Sequence, residues 1–414
     1  MTMRIALRAL FLLLTVFSMM SPYAPAPAGA GGLKESLGEE IPISVLKGTE
    51  EEDPVIGWDG TNYMAVWQSN RKGPYDYNVY ATRVNPAGKI LDPQGLPIST
   101  APSNQIFLDL AWGKGVYLMV WQDLRSHRRW EVYGARVRSD GTVLDPEGIP
   151  IAVGKHNARH PQVAWDGRNF LAVWMEEGEG TGWDVRGARI SPEGTVLDPG
   201  RLLIAAAPGD QVQPVVAWGH DQYLVVWMDQ RRGSRPNISG SRVSSAGEVL
   251  DPEGLILSQS TKAPSFPAVA WGGKQFVVVW ADQAAPSAQT LSGVRVSAAG
   301  KVEDFKEFVV ATGSNLQTFP SVQCREEECL VVWEEDHSQG RPMQGIESIV
   351  RDVRGAFLDL TGATVISRDV MISPQAIGNH FAKVATDGRD FLVVWKDYRT
   401  GTAASLGRLV IRAR

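Results

Sequence analysis

Seven tryptophans, Trp67, Trp121, Trp174, Trp227, Trp280, Trp333 and Trp395, recur at spacings of 54, 53, 53, 53, 53 and 62 residues. Nine residues before them stand Trp58, Trp112, Trp165, Trp218 and Trp271, then Cys324 and Thr386 in the last two copies. A fixed period of this length marks a repeat array rather than a set of unrelated domains. The length prior of two or three domains for 414 residues yields to it.

The third copy shows the unit most clearly. In Pro161–Trp174 the residues Val163, Trp165, Phe170, Ala172 and Trp174 mark alternating positions, and Asp166-Gly167 supplies turn chemistry. Alternation on both sides of a tight turn predicts two paired strands. A third strand follows a variable loop, as in Val132–Val137, and a Gly-containing turn leads to Val143–Ile151. Proline within Leu144-Asp145-Pro146-Glu147-Gly148 suits an outer, edge strand, where its missing N–H does no harm. Four antiparallel strands in about fifty residues compose a propeller blade, and no stretch carries a sustained helical apolar period.

The chain ends bear on closure. The last copy stops after its third strand, near Leu406–Val410, whereas Ile41–Val45 precedes the first copy and matches Ile149–Val153. The expected fold is therefore an all-β, seven-bladed propeller of four-stranded antiparallel blades. An N-terminal strand at residues 41–46 completes the last blade and removes an open sheet edge.

Two regular features read as structural. Cys324 and Cys329, the only cysteines, replace a pair of opposed large residues such as Trp165 with Phe170. A disulfide is expected there; a catalytic or metal-binding pair is the rival reading, without a nearby histidine to complete it. Arg83, Arg136, Arg189, Arg242 and Arg295 each precede an aspartate by nine residues: Asp92, Asp145, Asp198, Asp251 and Asp304. They are expected to pair across adjacent strands. The corresponding positions are read as Val350 with Asp359 in blade six and Leu409 with Leu37 in blade seven.

The N-terminus is of another kind. Arg4 and Arg8 precede the apolar run Ala9–Phe17, and Ala28-Gly29-Ala30 follows a Pro/Ala-rich stretch. This is the pattern of a secretory signal peptide over residues 1–30, with cleavage near Ala30 and a mature propeller over 31–414. Export to the periplasm or outside the cell is expected, with no transmembrane segment after cleavage. The formal charge of -5 offers no basic footprint for nucleic acid.

Candidate ligand-binding residues fall on one face of the ring. Asp123, Glu176, Asp229, Asp282, Glu335 and Asp397 lie two residues past the second-strand tryptophans, with Ser69 in the first copy. Arginines follow at Arg71, Arg125, Arg231 and Arg399. Such acids could line a ligand or divalent-cation mouth, or could cap their own loops, and their regular repetition favours capping. His127 and His337 are placed in second-to-third-strand loops, and His156, His160 and His380 in fourth-to-first-strand loops of the same face. No nucleophile elbow, zinc-protease motif or phosphate loop is present, so no catalytic residue and no cofactor is assigned.

The repeats Val-Trp-x-Asp-x-Arg, Tyr-Gly-Ala-Arg-Val and Gly-x-Val-Leu-Asp-Pro-x-Gly-Ile-x-Ile resemble those of exported bacterial β-propeller proteins of unassigned function, over residues 41–414. The resemblance implies architecture and transfers no catalytic residue. The expected function is a monomeric, non-enzymatic binding or scaffold propeller recognising an extracellular or periplasmic protein or glycan. The alternative is a carbohydrate-active hydrolase or lyase using loop carboxylates.

Overall fold

The computed structural model describes residues 36–412 except 45, 47–48, 232, 234, 259–261, 286–287, 305, 338–349, 362–363, 378–379 and 398–404. The leader read over residues 1–30 lies outside them. The described residues contain no helix, and thus none long and apolar enough to cross a membrane.

The chain forms four-stranded antiparallel sheets in a β-propeller arrangement. Blade one comprises Glu51–Trp58, Tyr63–Ser69, Asn78–Val84 and Leu96–Ser99. Blade two comprises Gln105–Gly113, Val116–Asp123, Glu131–Arg138 and Ile149–Ala152. Blade three holds Ala158–Trp165, Phe170–Glu177, Trp183–Ile190 and Leu202–Ala205. In blade four the strands are Gln211–Gly219, Gln222–Asp229, Asn237–Ser244 and Leu255–Ile256. Blade five has Ala263–Trp271, Gln275–Ala285, Ala288–Ser297 and Phe308–Thr312; blade six has Leu316–Arg325, Glu328–Asp336, Val350–Asp359 and Thr364–Ile377.

The expectation of a seven-bladed propeller, its last blade closed by a strand at 41–46, is corrected here. Only six blades consist of four consecutive strands. The remaining sheet has three strands of its own, His380–Thr386, Asp390–Asp397 and Ser405–Arg412, and its fourth member is the two-residue segment Ser36–Leu37. That segment pairs Ser36 with Arg412 and Leu37 with Ile411. Within 41–46 the described residues form no strand, only an isolated bridge at Ser44, although Ile43 packs in the cluster holding Trp67, Leu392 and Val394. This sheet also lacks the arginine–aspartate pair found beside the outer segment of blades one to five. In the last sheet the residue opposite Leu392 is Val410, and Leu37 offers no carboxylate.

That pair is a two-point fork. Arg136 Nε and Nη2 each donate to Asp145 at 2.8 Å, while the Arg136 backbone N–H donates to the same carboxylate at 2.9 Å. Arg136 Nη1 also reaches Pro192 O of the next blade at 3.2 Å, so one side chain ties strand to strand and blade to blade. Arg189, Arg242 and Arg295 repeat both bonds. The readings of Val350 and Leu409 as the equivalent positions are corrected: Phe357 faces Leu330 in blade six, and Val410 stands one residue beyond Leu409.

Burial follows from the alternation. Trp67, Trp121, Trp174, Trp227, Trp280, Trp333 and Trp395 are all fully buried. The first-strand aromatics oppose their partners directly: Trp165 faces Phe170 with ring centroids 4.6 Å apart. Trp165 also lies over Gly113 of blade two, where a Cβ would come within 2.1 Å of the indole. Glycine there allows a close approach of neighbouring blades, as does Gly219 under Trp271. In blade six the opposed pair is Cys324 with Cys329, joined as a disulfide.

Candidate functional site at the ring axis

The first strand of every sheet carries a break in its pairing register. It falls between Glu52 and Val55 in blade one, between Arg159 and Gln162 in blade three, and at the matching place in the other five sheets. At each break one non-glycine residue has a left-handed backbone: Asp53, Phe107, His160, Gln213, Phe266, Phe319 and Phe381, with φ between 49° and 56°. A bulge inserts an extra residue and re-aims its side chain. Left-handed φ at such residues costs on the order of 1–3 kcal/mol and persists only where the surroundings hold it.

The surroundings supply a clamp from the preceding blade. Gln68 Oε1 accepts the Phe107 N–H at 3.2 Å, Gln122 Oε1 accepts that of His160 at 3.3 Å, and Gln213 Oε1 accepts that of Phe266 at 3.0 Å. Glu334 accepts the N–H of Phe381. The first strands touch one another in cyclic order, the last against that of blade one, which brings the seven bulges together around the axis.

They enclose a cavity of about 170 Å³, lined by all seven bulge residues with Val55, Gln162, Val215 and Lys383 one layer further along. A cavity of this size accommodates one ring, since about 150 Å³ of apolar space holds a benzene molecule. The wall is uneven. Phe266, Phe319 and Phe381 form an aromatic arc with centroid separations of 4.3 and 5.3 Å, and Phe107 packs on His160 at 4.3 Å. Asp53, His160, Gln162, Gln213 and Lys383 supply the polar groups.

Burial sets the protonation of this site. Desolvation, aided by Glu52, pushes the Asp53 carboxyl up to about 7 against the opposing pull of Lys396 and Lys383. The same cause pushes Asp109 up to about 6, although its Oδ2 accepts the Val163 N–H at 2.8 Å. Desolvation, with Arg159 nearby, pulls His160 down to about 4, so its ring is neutral at physiological pH. Asp53 Oδ1 is sealed from solvent and has no hydrogen-bond partner. Lys383 makes no ion pair among the described residues, whereas Lys396 pairs with Glu52 and Arg351 with Glu334.

Four of the rim acids named from the sequence are held by side chains of their own blade. Asp123 accepts from Trp121 Nε1 at 2.7 Å, from the Arg125 N–H at 2.8 Å and from Arg125 Nη2 at 2.7 Å. Arg125 in turn lies 3.9 Å from the centroid of Tyr133. Glu176 is held by Trp174 and Arg201, and Asp229 by Trp227 and Arg231. Glu335 pairs with Arg354 and accepts from Asn315. Asp282 is buried beside Trp280, Ser292 and Lys262 with no arginine on it, and Asp397 is buried. In blade one Glu51, from the first strand, takes over the role and pairs with Arg71 at 2.8 Å. Arg399 lies outside the described residues.

The histidines divide. His160 belongs to the first strand of blade three and faces the cavity, not the loop where the sequence placed it. His380 begins the first strand of the last sheet, and its side chain lies outside the described residues. His127 is exposed, His156 lies 3.7 Å from Glu179, and His337 Nε2 lies 2.9 Å from Asp352. Among the described residues no three His, Cys, Asp or Glu converge as a metal-ligand set.

Of the axial residues, the sequence reading singled out only His160. A signal was present: a proline stands thirteen residues before the second-strand tryptophan in five copies, at Pro54, Pro161, Pro214, Pro267 and Pro320. The residue ahead of each is the bulge residue.

No protein-family profile matches the sequence, and no curated protein does either. Among solved structures, the chain is similar to a protein of unknown function from Dyadobacter fermentans, with TM-score 0.55 and 12% identity over 92% of this chain and 99% of that one. It is also similar to Kuenenia stuttgartiensis hydrazine synthase, with TM-score 0.50 and 13% identity over 89% and 99%. The GH93 α-L-arabinofuranosidase of Fusarium graminearum aligns with TM-score 0.49 and 12% identity over 74% and 93%. At these identities the likeness to the first two structures speaks to the fold alone, that of a β-propeller protein.

Proposed function

We propose that this is an exported, non-enzymatic binding propeller that takes a small ligand at the axial mouth, on the face bearing the second-to-third-strand loops. One observation carries the reading. The second-strand tryptophans are identical in every copy, whereas the seven bulge residues at the axis are aspartate, histidine, glutamine and four phenylalanines. A purely structural axis has no use for that variety, and binding pockets pair apolar walls with a few placed polar groups. The rim acids frame the mouth by holding its loops. The leader pattern and the Cys324–Cys329 disulfide support export to an oxidising compartment.

The hydrolase reading has one observation in its favour, two axial carboxyls with raised pKa values at Asp53 and Asp109. Against it, Asp109 is not among the residues that line the cavity with Asp53, and its Oδ2 is already taken by the Val163 N–H.

The test is a thermal-shift screen of the purified mature chain against small metabolites and glycans, beside the cavity-filling variant Val215→Phe. Ligands that raise the wild-type melting temperature and not that of the variant support the reading. No shift with any compound, or shifts that survive the filled cavity, would overturn it. Release of reducing sugar from a polysaccharide would favour the hydrolase instead.

A further inference from the structure

The charged groups around the axis are unevenly partnered. Glu52 and Glu334 have their own cations and His160 is neutral, whereas Asp53, Asp109, Lys383 and Arg159 make no ion pair among the described residues. Asp109 is satisfied in part by the backbone N–H of Val163. Asp53 is the exception, with an enclosed oxygen that no donor among the described residues reaches. Beside it in ring order stands Phe381, the end of the Phe266–Phe319–Phe381 arc. A buried carboxylate next to aromatic rings favours a cation with an apolar body, through charge pairing and attraction to the ring quadrupoles.

We infer that the axial cavity binds a small primary amine, with its ammonium group on Asp53 and its apolar body against the phenylalanine arc. The inference rests on the binding reading above and specifies its ligand class. Neutral and anionic molecules of the same shape leave Asp53 without a counter-charge and bind more weakly. Binding also favours the ionised carboxyl, so affinity falls as pH drops through the Asp53 range. The charged groups facing Asp53 are Glu52 on its own strand, Lys383 and Lys396 on the last sheet, and Glu334 on blade six.

Isothermal titration of the mature chain with benzylamine, benzyl alcohol and benzoate, at about pH 8 and about pH 5, tests this on either side of the Asp53 value of about 7. Benzylamine is expected to bind at least about tenfold more tightly than the other two at the higher pH, and to lose about tenfold or more at the lower. Asp53→Asn should remove most of that preference and flatten the pH profile, with its circular dichroism unchanged. Lys383→Met should tighten benzylamine binding by removing a like charge.

Equal or tighter binding of benzyl alcohol or benzoate overturns the inference, as does an Asp53→Asn variant that keeps wild-type affinity and pH dependence. If benzyl alcohol binds and Val215→Phe abolishes it, the binding function stands while the amine specificity falls. If none of the three probes binds, the amine inference falls, and the ligand screen decides the wider reading separately.

Discussion

Gln122 of blade two accepts the backbone N–H of His160 in blade three at 3.3 Å, so the strained bulge of one blade is held by its neighbour. The glutamine is buried, and its position one residue past the tryptophan is taken by Met175 and Met228 in blades three and four. Replacing Gln122 by Met removes the acceptor while roughly preserving volume. A buried donor left without a partner costs about 1–3 kcal/mol. Urea denaturation of Gln122→Met should show a loss in that range. An unchanged midpoint would mean that the bulge holds itself.

The Asp53 carboxyl makes the ligand-free protein sensitive to alkali. Its folded pKa of about 7 lies above the ordinary 3.8, so the folded state holds a proton that the unfolded chain has released. The stability it contributes is complete below pH 3.8 and is lost as pH rises through about 7. Asp53→Asn should therefore match the wild type in acid and exceed it above neutrality, as read from the difference in urea midpoint across pH. A difference that does not vary with pH contradicts this.

His160 acts in the opposite sense. Its folded pKa of about 4 lies below 6.5, so its contribution is complete above 6.5 and is lost as pH falls toward 4. His160→Phe, which installs the residue found at four other bulges, should remove stability loss in that window. Thermal melts of the two proteins between those limits check it.

Asp123 and Asp282 occupy the same place in blades two and five with opposite energetic signs. Asp123→Ala strands the Trp121 indole N–H and the Arg125 guanidinium, an expected loss of about 2–3 kcal/mol. Asp282 has no arginine partner, and burial raises its pKa. Asp282→Asn should leave stability unchanged or raise it by about 1 kcal/mol. Chemical denaturation of both variants compares them directly.

The Arg136–Asp145 fork lends itself to a double-mutant cycle. Arg136→Ala, Asp145→Ala and the double variant should reveal a coupling of about 1 kcal/mol. Arg136→Ala should cost more than the coupling alone, because it also breaks the bond to Pro192 O of the next blade. Asp145→Ala in turn strands the Arg136 backbone N–H, so the second role is read in that background, where Arg136→Ala should still destabilise; no cost there would argue against it.

Much of this architecture was legible in the chain, for a local reason. The tryptophan period, the opposed pair Trp165–Phe170 and the nine-residue Arg136–Asp145 spacing all concern residues that meet across one turn. Strand alternation and turn chemistry suffice to place them. Where a loop changes length the reading slips: blade six carries an insertion before Val350, and the position matching the arginine is Phe357. At the end of the chain, Ser36–Leu37 and not residues 41–46 supplies the paired edge segment.

The sequence by itself determined the repeat, the four-stranded unit, the disulfide pair and the arginine–aspartate fork, because each is a contact within one copy. Only the tertiary structure decided the axis. Asp53, His160, Phe319 and Phe381 are widely separated along the chain and meet only when the first strands are gathered in cyclic order. Their side chains turn inward because each strand bulges there, and at His160, for one, a glutamine of the preceding blade holds the bulge. Alternation within a single strand carries no record of that neighbour, so the site could be read only once the blades stood side by side.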